Sequence, residues 1–116
     1  MKKRSDIIQH VNITDNELSK LYAEASLLVV PSSYEAFSYV TIESMLHGTP
    51  AVISDKVRVA DYLEGIEGYS VFIYGDRDDF VNKVRDTIGI FVDREKILER
   101  FNINTIRNQY RIIYCN

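Results

Sequence analysis

The sequence predicts an α/β fold in which a mostly parallel β-sheet is flanked by helices. Two short apolar runs, Ala25–Val30 and Ala51–Ile53, have the length and composition of buried strands. Between them, Pro31–Pro50 has the pattern of a turn followed by a helix. A strand, a turn, a helix and a second strand form the repeating unit of a parallel sheet. Because the chain has 116 residues, we expect one small domain of this architecture.

The composition excludes several classes of function. The chain is 46% hydrophobic and 27% charged with a net charge of −3, as in an ordinary globular protein. Its only basic cluster is Lys2–Arg4, so no nucleic-acid partner is expected. No apolar run could span a bilayer, and no signal-peptide core follows the N-terminus. The single cysteine, Cys115, cannot form an internal disulfide, and these features together favour a cytoplasmic location.

The first third of the chain predicts a strand, a helix and a second strand. Ser5–Ile13 is a β-prone run, and Thr14 stands three residues before Glu17, the spacing of a capping box. A helix is therefore expected from Asp15 to about Glu24. Leu27–Val30 then has the continuous apolar character of a strand covered on both faces. The side chains at helical spacing that should face the core are Leu18, Leu21, Tyr22 and Ala25.

The central part predicts a helix, a strand and a short helix. The first helix should run from Phe37 or Ser38 to His47, because Gly48 and Pro50 are typical of the residues after a helix end. A strand is expected at Ala51–Ser54 and a short helix near Val59–Leu63. The apolar side of the first helix should contain Tyr39, Ile42, Met45 and Leu46.

The last part predicts one more strand and three helices. Gly65 and Gly68 interrupt the chain before an expected strand at Ser70–Tyr74. The first of the three helices should span Asp78–Ile90, with apolar side chains spaced four residues apart at Phe80, Val84 and Ile88. The other two helices are expected at Asp93–Phe101 and Thr105–Tyr114.

Two glutamates in the central stretch are the candidate functional residues. Glu35 and Glu43 have seven residues between them, an E-x7-E pattern that is weak when it occurs alone. In parallel sheets, ligands bind at the carboxyl ends of strands, against helix N-termini, and Ser32–Phe37 falls at that place. The structural alternatives are an exposed helix charge for Glu43, a turn carboxylate for Glu35 and a helix N-cap for Ser38. The two histidines, at positions 10 and 47, are isolated and are taken as structural.

The residues around these glutamates follow a longer pattern. They stand as Ala25–Ser32, then Glu35–Ser38, then Glu43–Val52. This pattern resembles the donor-binding domain of retaining, family-4 type glycosyltransferases with the GT-B fold, which typically carry A-D-V-x-V-x-P-S-x-x-E-x-F-G and E-A-M-A-x-G-x-P-V-V. Glu17–Tyr22 and Asn108–Tyr114 also resemble family segments, so the likeness covers nearly the whole chain. The family's glycine after phenylalanine is replaced here by Ser38.

The resemblance implies a function for these residues. It implies that the chain helps to transfer a hexose from a nucleoside diphosphate sugar to an acceptor, with no metal and no other cofactor. Glu43 would accept hydrogen bonds from the ribose hydroxyls. Glu35 would be the catalytic residue, contacting the donor sugar and stabilising positive charge at its anomeric carbon. The backbone amides that would bind the phosphates or the sugar are those of Phe37, Ser38, Tyr39 and Val40.

The resemblance also implies that residues 1–116 are a truncated C-terminal, nucleotide-sugar-binding domain with a partial Rossmann-like sheet that lacks its first strands. A GT-B enzyme closes two domains around its substrates, and no acceptor domain is present in this sequence. We therefore expect an inactive chain when it is isolated, with a separate acceptor-domain chain or self-association as possible partners. Ile7–Val11 should pair directly with Leu27–Val30, be disordered, or leave a gap that another chain fills.

Two other functions remain open from the sequence. The chain could be a gene remnant or a non-catalytic interaction module that binds through an apolar C-terminal helix. A response-regulator-like domain is disfavoured, because no acidic cluster follows the first strand and no lysine follows the last. The apolar residues of the C-terminal helix would be Phe101, Ile106, Tyr110, Ile113 and Tyr114.

Overall fold

Within residues 13–101, three parallel strands form the sheet, in the order β1 (Leu28–Val30), β2 (Ala51–Ser54) and β3 (Tyr69–Phe72). This is a computed structural model, and it describes residues 13–101. Each strand pairs in parallel with the next, so their carboxyl ends meet at one edge of the sheet. The α/β fold class predicted from the sequence is therefore confirmed.

Helices flank the sheet, and each α-helix begins at a polar residue whose side chain accepts an amide hydrogen bond. Such caps satisfy one of the amides that a helix start leaves unpaired. The α-helices are α1 (Asp15–Glu24), α2 (Tyr39–Leu46), α3 (Arg77–Thr87) and α4 (Arg94–Arg100), and a 3₁₀ helix spans Arg58–Tyr62. The capping residues are Thr14, Ser38, Asp76 and Asp93. Thr14 accepts from the amide of Glu17, as the capping-box spacing predicts.

The main core lies between one face of the sheet and α2. Val30 and Ile53 point to that face and pack with Ile42 and Met45 of α2, which are fully buried. The 3₁₀ helix and α4 close the same core, to which α4 contributes the fully buried Ile97. The predicted apolar side of α2 is confirmed, because its remaining members are half-buried against this core.

The opposite face of the sheet packs against α3. The rings of Phe72 and Phe80 meet edge to face with centroids 4.9 Å apart. The Thr87 hydroxyl donates to the Ser70 hydroxyl over 2.7 Å. Because α3 covers β2 and β3, Val29 on β1 keeps 37% of its surface exposed. The expectation that this strand is covered on both faces is therefore wrong for the part of the chain that the structure describes.

Thr49 joins α1 to the layer formed by α2 and β2. Its buried hydroxyl lies within hydrogen-bond distance of the carbonyl oxygens of Tyr22 and Ala25 at the end of α1. Gly48, at φ +85°, ends α2 as its sequence position predicts. The turn that follows α2 therefore also holds α1 in place.

Several predicted boundaries differ from the structure. The last strand ends at Phe72 and not at Tyr74, because the chain turns there, with the Asp76 amide donating to the Ile73 carbonyl oxygen over 2.9 Å. The following helix ends at Thr87 and not at Ile90, where Gly89 at φ +83° turns the chain. Ile88 is therefore outside the helix and 52% exposed, so its predicted place on the buried side is wrong.

Smaller differences occur elsewhere. Ala25 follows α1 and is exposed, contrary to its predicted burial. The short helix predicted near Val59–Leu63 is the 3₁₀ helix and begins one residue earlier. Ser5–Ile13, except its last residue, and Thr105–Tyr114 lie outside the described residues, as does the pairing expected for Ile7–Val11. Among residues 13–101, no helix is long and apolar enough to cross a membrane.

Candidate functional site

The loops at the carboxyl edge of the sheet contain or adjoin the predicted site residues. The segment 31–38 follows β1, the segment 55–57 follows β2, and the segment 73–76 follows β3. Asp55 accepts a hydrogen bond from the amide of Tyr74 over 3.0 Å, so the second and third loops are tied together. This edge is where a parallel sheet of this kind binds ligands.

The backbone of Glu35 is anchored to the loop after β2. Its amide donates to the carbonyl oxygen of Lys56 over 3.2 Å, and the amide of Arg58 donates to the Glu35 carbonyl oxygen over 2.9 Å. These bonds form an isolated parallel bridge between Glu35 and Val57, whose side chain is buried in the main core. Glu35 lies in a loop, but its backbone bonds to the segment after β2 fix its position.

The Glu35 carboxylate contains a buried oxygen without a partner. Its Oε2 atom makes no hydrogen bond within the described residues. A buried acceptor left unpaired costs about 1–3 kcal/mol, and more when it is charged. A ligand that brings a hydroxyl group to this oxygen would remove that cost.

Ser38 caps the helix between the two glutamates. Its hydroxyl accepts from the amide of Thr41 over 3.3 Å and bonds the Thr41 hydroxyl over 2.7 Å, and both side chains are buried. The N-cap role that the sequence left as an alternative for Ser38 is thus present. Because α2 begins at Tyr39, the Phe37 amide precedes the cap, while Val40 lies in the first helical turn.

Glu43 lies in the second turn of α2, on its less buried side. The side chains at positions 41, 42, 44 and 45 are buried, while Glu43 shares intermediate burial with Tyr39, Val40 and Leu46. Within residues 13–101, the structure gives the Glu43 carboxylate no hydrogen bond or ion pair. Glu43 is therefore held on a helix that is packed on its other sides, with its carboxylate available to a ligand.

The ring of Phe37 belongs to a group of aromatic side chains. Its centroid lies 5.0 Å from the ring of Tyr39, 5.4 Å from that of Tyr62 and 6.2 Å from that of Phe101. We call these four residues the aromatic cluster. Because Phe37 precedes the Ser38 cap and Tyr39 is the first residue of α2, this cluster lies at the start of that helix.

A cavity of about 420 Å³ opens on the α3 side of the same edge. None of the predicted site residues lines it, and sequence reasoning did not find it. Only the Gly75–Asp76 turn after an apolar strand could have pointed to it. The lining residues are Pro31, Phe72, Tyr74, Gly75, Asp76, Arg77 and Phe80.

Asp79 fixes the loop beside this cavity. Its carboxylate accepts from the Lys83 ammonium over 2.9 Å and from the amide of Ile73 over 2.8 Å. These two bonds hold the pKa of the Asp79 carboxyl below its usual value. No group of three His, Cys, Asp or Glu side chains in the described part of the chain could hold a metal ion.

Comparison with known proteins identifies similar sequences. A family profile described as glycosyl transferases group 1 matches residues 1–89. An uncharacterized glycosyltransferase of Methanocaldococcus jannaschii is 45% identical over 69 residues, which cover 60% of this chain and 17% of that protein. The MMP α-(1→4)-mannosyltransferase of Mycolicibacterium hassiacum is 28% identical over 109 residues, which cover 93% of this chain and 26% of that protein.

A solved structure has the same fold. The sucrose-phosphate synthase of Thermosynechococcus elongatus superposes with a TM-score of 0.68 at 27% identity, over 88% of this chain and 28% of that one. The chain therefore spans about a quarter or less of the curated relatives it matches, and a similar share of the solved structure.

Proposed function

The chain belongs to the glycosyl transferases group 1 family and has the fold of a GT-B glycosyltransferase, and from this we propose that it is the donor-binding part of a retaining, family-4 type enzyme. The proposed reaction transfers a hexose from a nucleoside diphosphate sugar to an acceptor. One observation carries the assignment of the site. Glu35 precedes the Ser38 cap of α2 in the chain, and its buried Oε2 has no hydrogen-bond partner within residues 13–101, so a sugar hydroxyl could satisfy it.

In the proposed site, Glu43 binds the ribose of the donor. Its carboxylate has no partner within residues 13–101 and can accept hydrogen bonds from both ribose hydroxyls. Each such charge-assisted bond is worth about 1.5–3 kcal/mol. The packing of α2 supports this role, because a helix buried on its other sides keeps the carboxylate at a fixed position.

Glu35 is the proposed catalytic residue. The bond between the anomeric carbon and the diphosphate breaks, and the diphosphate leaves with the electron pair. The acceptor oxygen forms the new bond to that carbon, and its proton passes to the oxygen of the leaving diphosphate. Positive charge develops on the sugar during this exchange, and a fixed carboxylate beside it lowers the barrier. The two bonds that anchor the Glu35 backbone support this role.

The N-terminus of α2 is the proposed phosphate contact. The backbone amides of Phe37, Ser38, Tyr39 and Val40 are the proposed ligands, together with the helix dipole. A helix N-terminus favours an anion by about 0.3–1 kcal/mol, and by more when it is partly buried. Since this is a modest gain, we expect the isolated chain to bind its donor weakly and to be inactive.

The remaining proposals concern the whole enzyme. Because the chain spans a small part of its relatives, we propose that an acceptor domain comes from the rest of a longer protein, a separate chain or a second copy. The reaction proposed here needs no metal. The cytoplasmic location stays a prediction.

Titration of the chain with nucleotides tests the site. The probes are UDP, GDP and ADP, each with and without glucose or mannose attached. Glu43→Gln should weaken binding of a nucleotide and of its sugar conjugate alike, by roughly tenfold, because a neutral amide replaces a charged acceptor. Glu35→Gln should weaken only the sugar conjugate, because Glu35 contacts the sugar.

The matched control is Glu99→Gln, which removes the same charge from an exposed position on α4. It should leave every affinity unchanged. Failure of a folded chain to bind any probe at millimolar concentration would contradict donor binding by this chain. An equal loss of affinity in the Glu99→Gln variant would mean that the effect comes from net charge and not from the site.

A second candidate function is a non-catalytic interaction module. Tyr34, Phe91 and Ile73 are each more than half exposed, and such side chains favour association. Concentration-dependent self-association without nucleotide binding would support this alternative.

A further inference from the structure

The aromatic cluster is open to solvent on one side within the described part of the chain. Tyr62 keeps 55% of its surface exposed, although its ring packs against Phe37 at 5.4 Å. Phe37 and Phe101 are only half-buried. Aromatic side chains contribute most when they are covered, so this surface can bind a further apolar segment.

The chain leaves the described region at this cluster. Phe101 follows α4, and its ring lies 6.2 Å from the ring of Phe37. Arg100 fixes the exit, because its guanidinium donates to the carbonyl oxygens of Tyr62 and Glu64. The residues after position 101 therefore start beside Tyr62 at a high effective concentration.

The sequence of residues 102–116 suits such a surface. Ile106, Tyr110, Ile113 and Tyr114 are spaced so that one face of a helix would carry all four. A stripe of this kind needs an apolar partner to be stable in water. The nearest such surface along the chain is the aromatic cluster.

Charge favours the same contact. Residues 13–101 hold nine Lys and Arg against sixteen Asp and Glu, a formal charge of −7. Residues 102–116 hold Arg107 and Arg111 and no acidic side chain. Attraction between the two parts adds to the apolar contact and opposes release of the segment.

We propose that residues 102–116 dock on the aromatic cluster of the same chain, with Tyr110 and Ile106 against Tyr62 and Phe37. The docked segment covers the cluster beside the start of α2 and holds Phe37, which precedes the Ser38 cap. This contact does not depend on the proposed function, and it competes with the self-association that an uncovered apolar segment would cause.

Nuclear Overhauser contacts in the full chain test the proposal. We expect contacts from the side chains of Tyr110 or Ile106 to the rings of Tyr62 and Phe37. In a mixture of isotope-labelled and unlabelled chains, no contact between the two should appear. Contacts seen only between chains would assign the surface to a second copy. Contacts to Phe72, or none from the segment, would also overturn the proposal.

Hydrogen exchange of residues 106–114 gives an independent readout. Tyr110→Ser and Tyr62→Ser should each speed this exchange by about tenfold, since each removes a buried aromatic contact. The matched control is Tyr34→Ser, because Tyr34 is 68% exposed and lies outside the cluster. Equal exchange in all three variants and the parent chain would contradict docking.

Discussion

Replacing Gly68 by alanine is expected to lower the free energy of unfolding by about 3–5 kcal/mol. Gly68 has φ +125°, a conformation that residues with a Cβ rarely adopt. An added Cβ would lie 2.9 Å from Cγ1 of Val92 and 3.0 Å from its Cα, so backbone would have to move. Gly68 also accepts the amide of Ala51 through its carbonyl oxygen, which joins β2 to the start of β3. Urea unfolding followed by circular dichroism measures the loss.

Gly89→Ala is the control for this variant. Gly89 has φ +83°, but an added Cβ would meet nothing within 4 Å. Gly89→Ala therefore introduces the backbone strain without a steric clash, and it should lower the free energy of unfolding by about 1–2 kcal/mol. If Gly68→Ala lowered the free energy of unfolding no more than Gly89→Ala, Val92 would not lie as close to Gly68 as the structure places it.

Replacing Met45 by alanine should lower the free energy of unfolding by about 2–5 kcal/mol. Met45 is fully buried in the main core, between α2 and the sheet. Truncating it removes apolar contacts and leaves a cavity under the helix that carries Glu43. The unfolding midpoint in urea should fall while the slope of the free energy with urea stays constant.

Leu98→Ala is the matched control, because it shortens an aliphatic side chain that is 56% exposed on α4. Its effect should stay within about 0.5 kcal/mol. An equal loss in both variants would mean that the core does not lie where the structure places it. A small loss in the Met45 variant alone would mean that α2 is loosely packed.

Much of the fold followed from local patterns. The apolar runs identified β1 and β2, and the predicted strand at Ser70–Tyr74 overlaps β3. Thr14 and Gly48 marked helix ends through chemistry that acts within a few residues. The errors arose where a local pattern continued past the end of a helix, or where burial depends on how the elements pack together. Ile88 continues a four-residue spacing, but α3 ends at Thr87, just before the turn at Gly89. The exposure of Val29 depends on where α3 packs, which no local pattern contains.

The candidate site divides in the same way. Glu35 and Glu43 stood out through a pattern in a single stretch of sequence. The bridge that anchors Glu35 to Val57 joins residues far apart in sequence, so it could not be predicted from that stretch. The aromatic cluster likewise needs Tyr62 and Phe101 to meet Phe37. The cavity on the α3 side combines Pro31 with residues after β3, and its apolar lining became visible only in the folded chain.

In the proposed site, the two glutamates and the start of α2 together bind a sugar nucleotide. A nuclear magnetic resonance titration of the full chain with nucleoside diphosphate sugars at millimolar concentration tests this arrangement. We expect amide shifts concentrated at residues 35–43. An absence of shifts across residues 13–101, or shifts confined to the cavity around Phe72 and Tyr74, would contradict it.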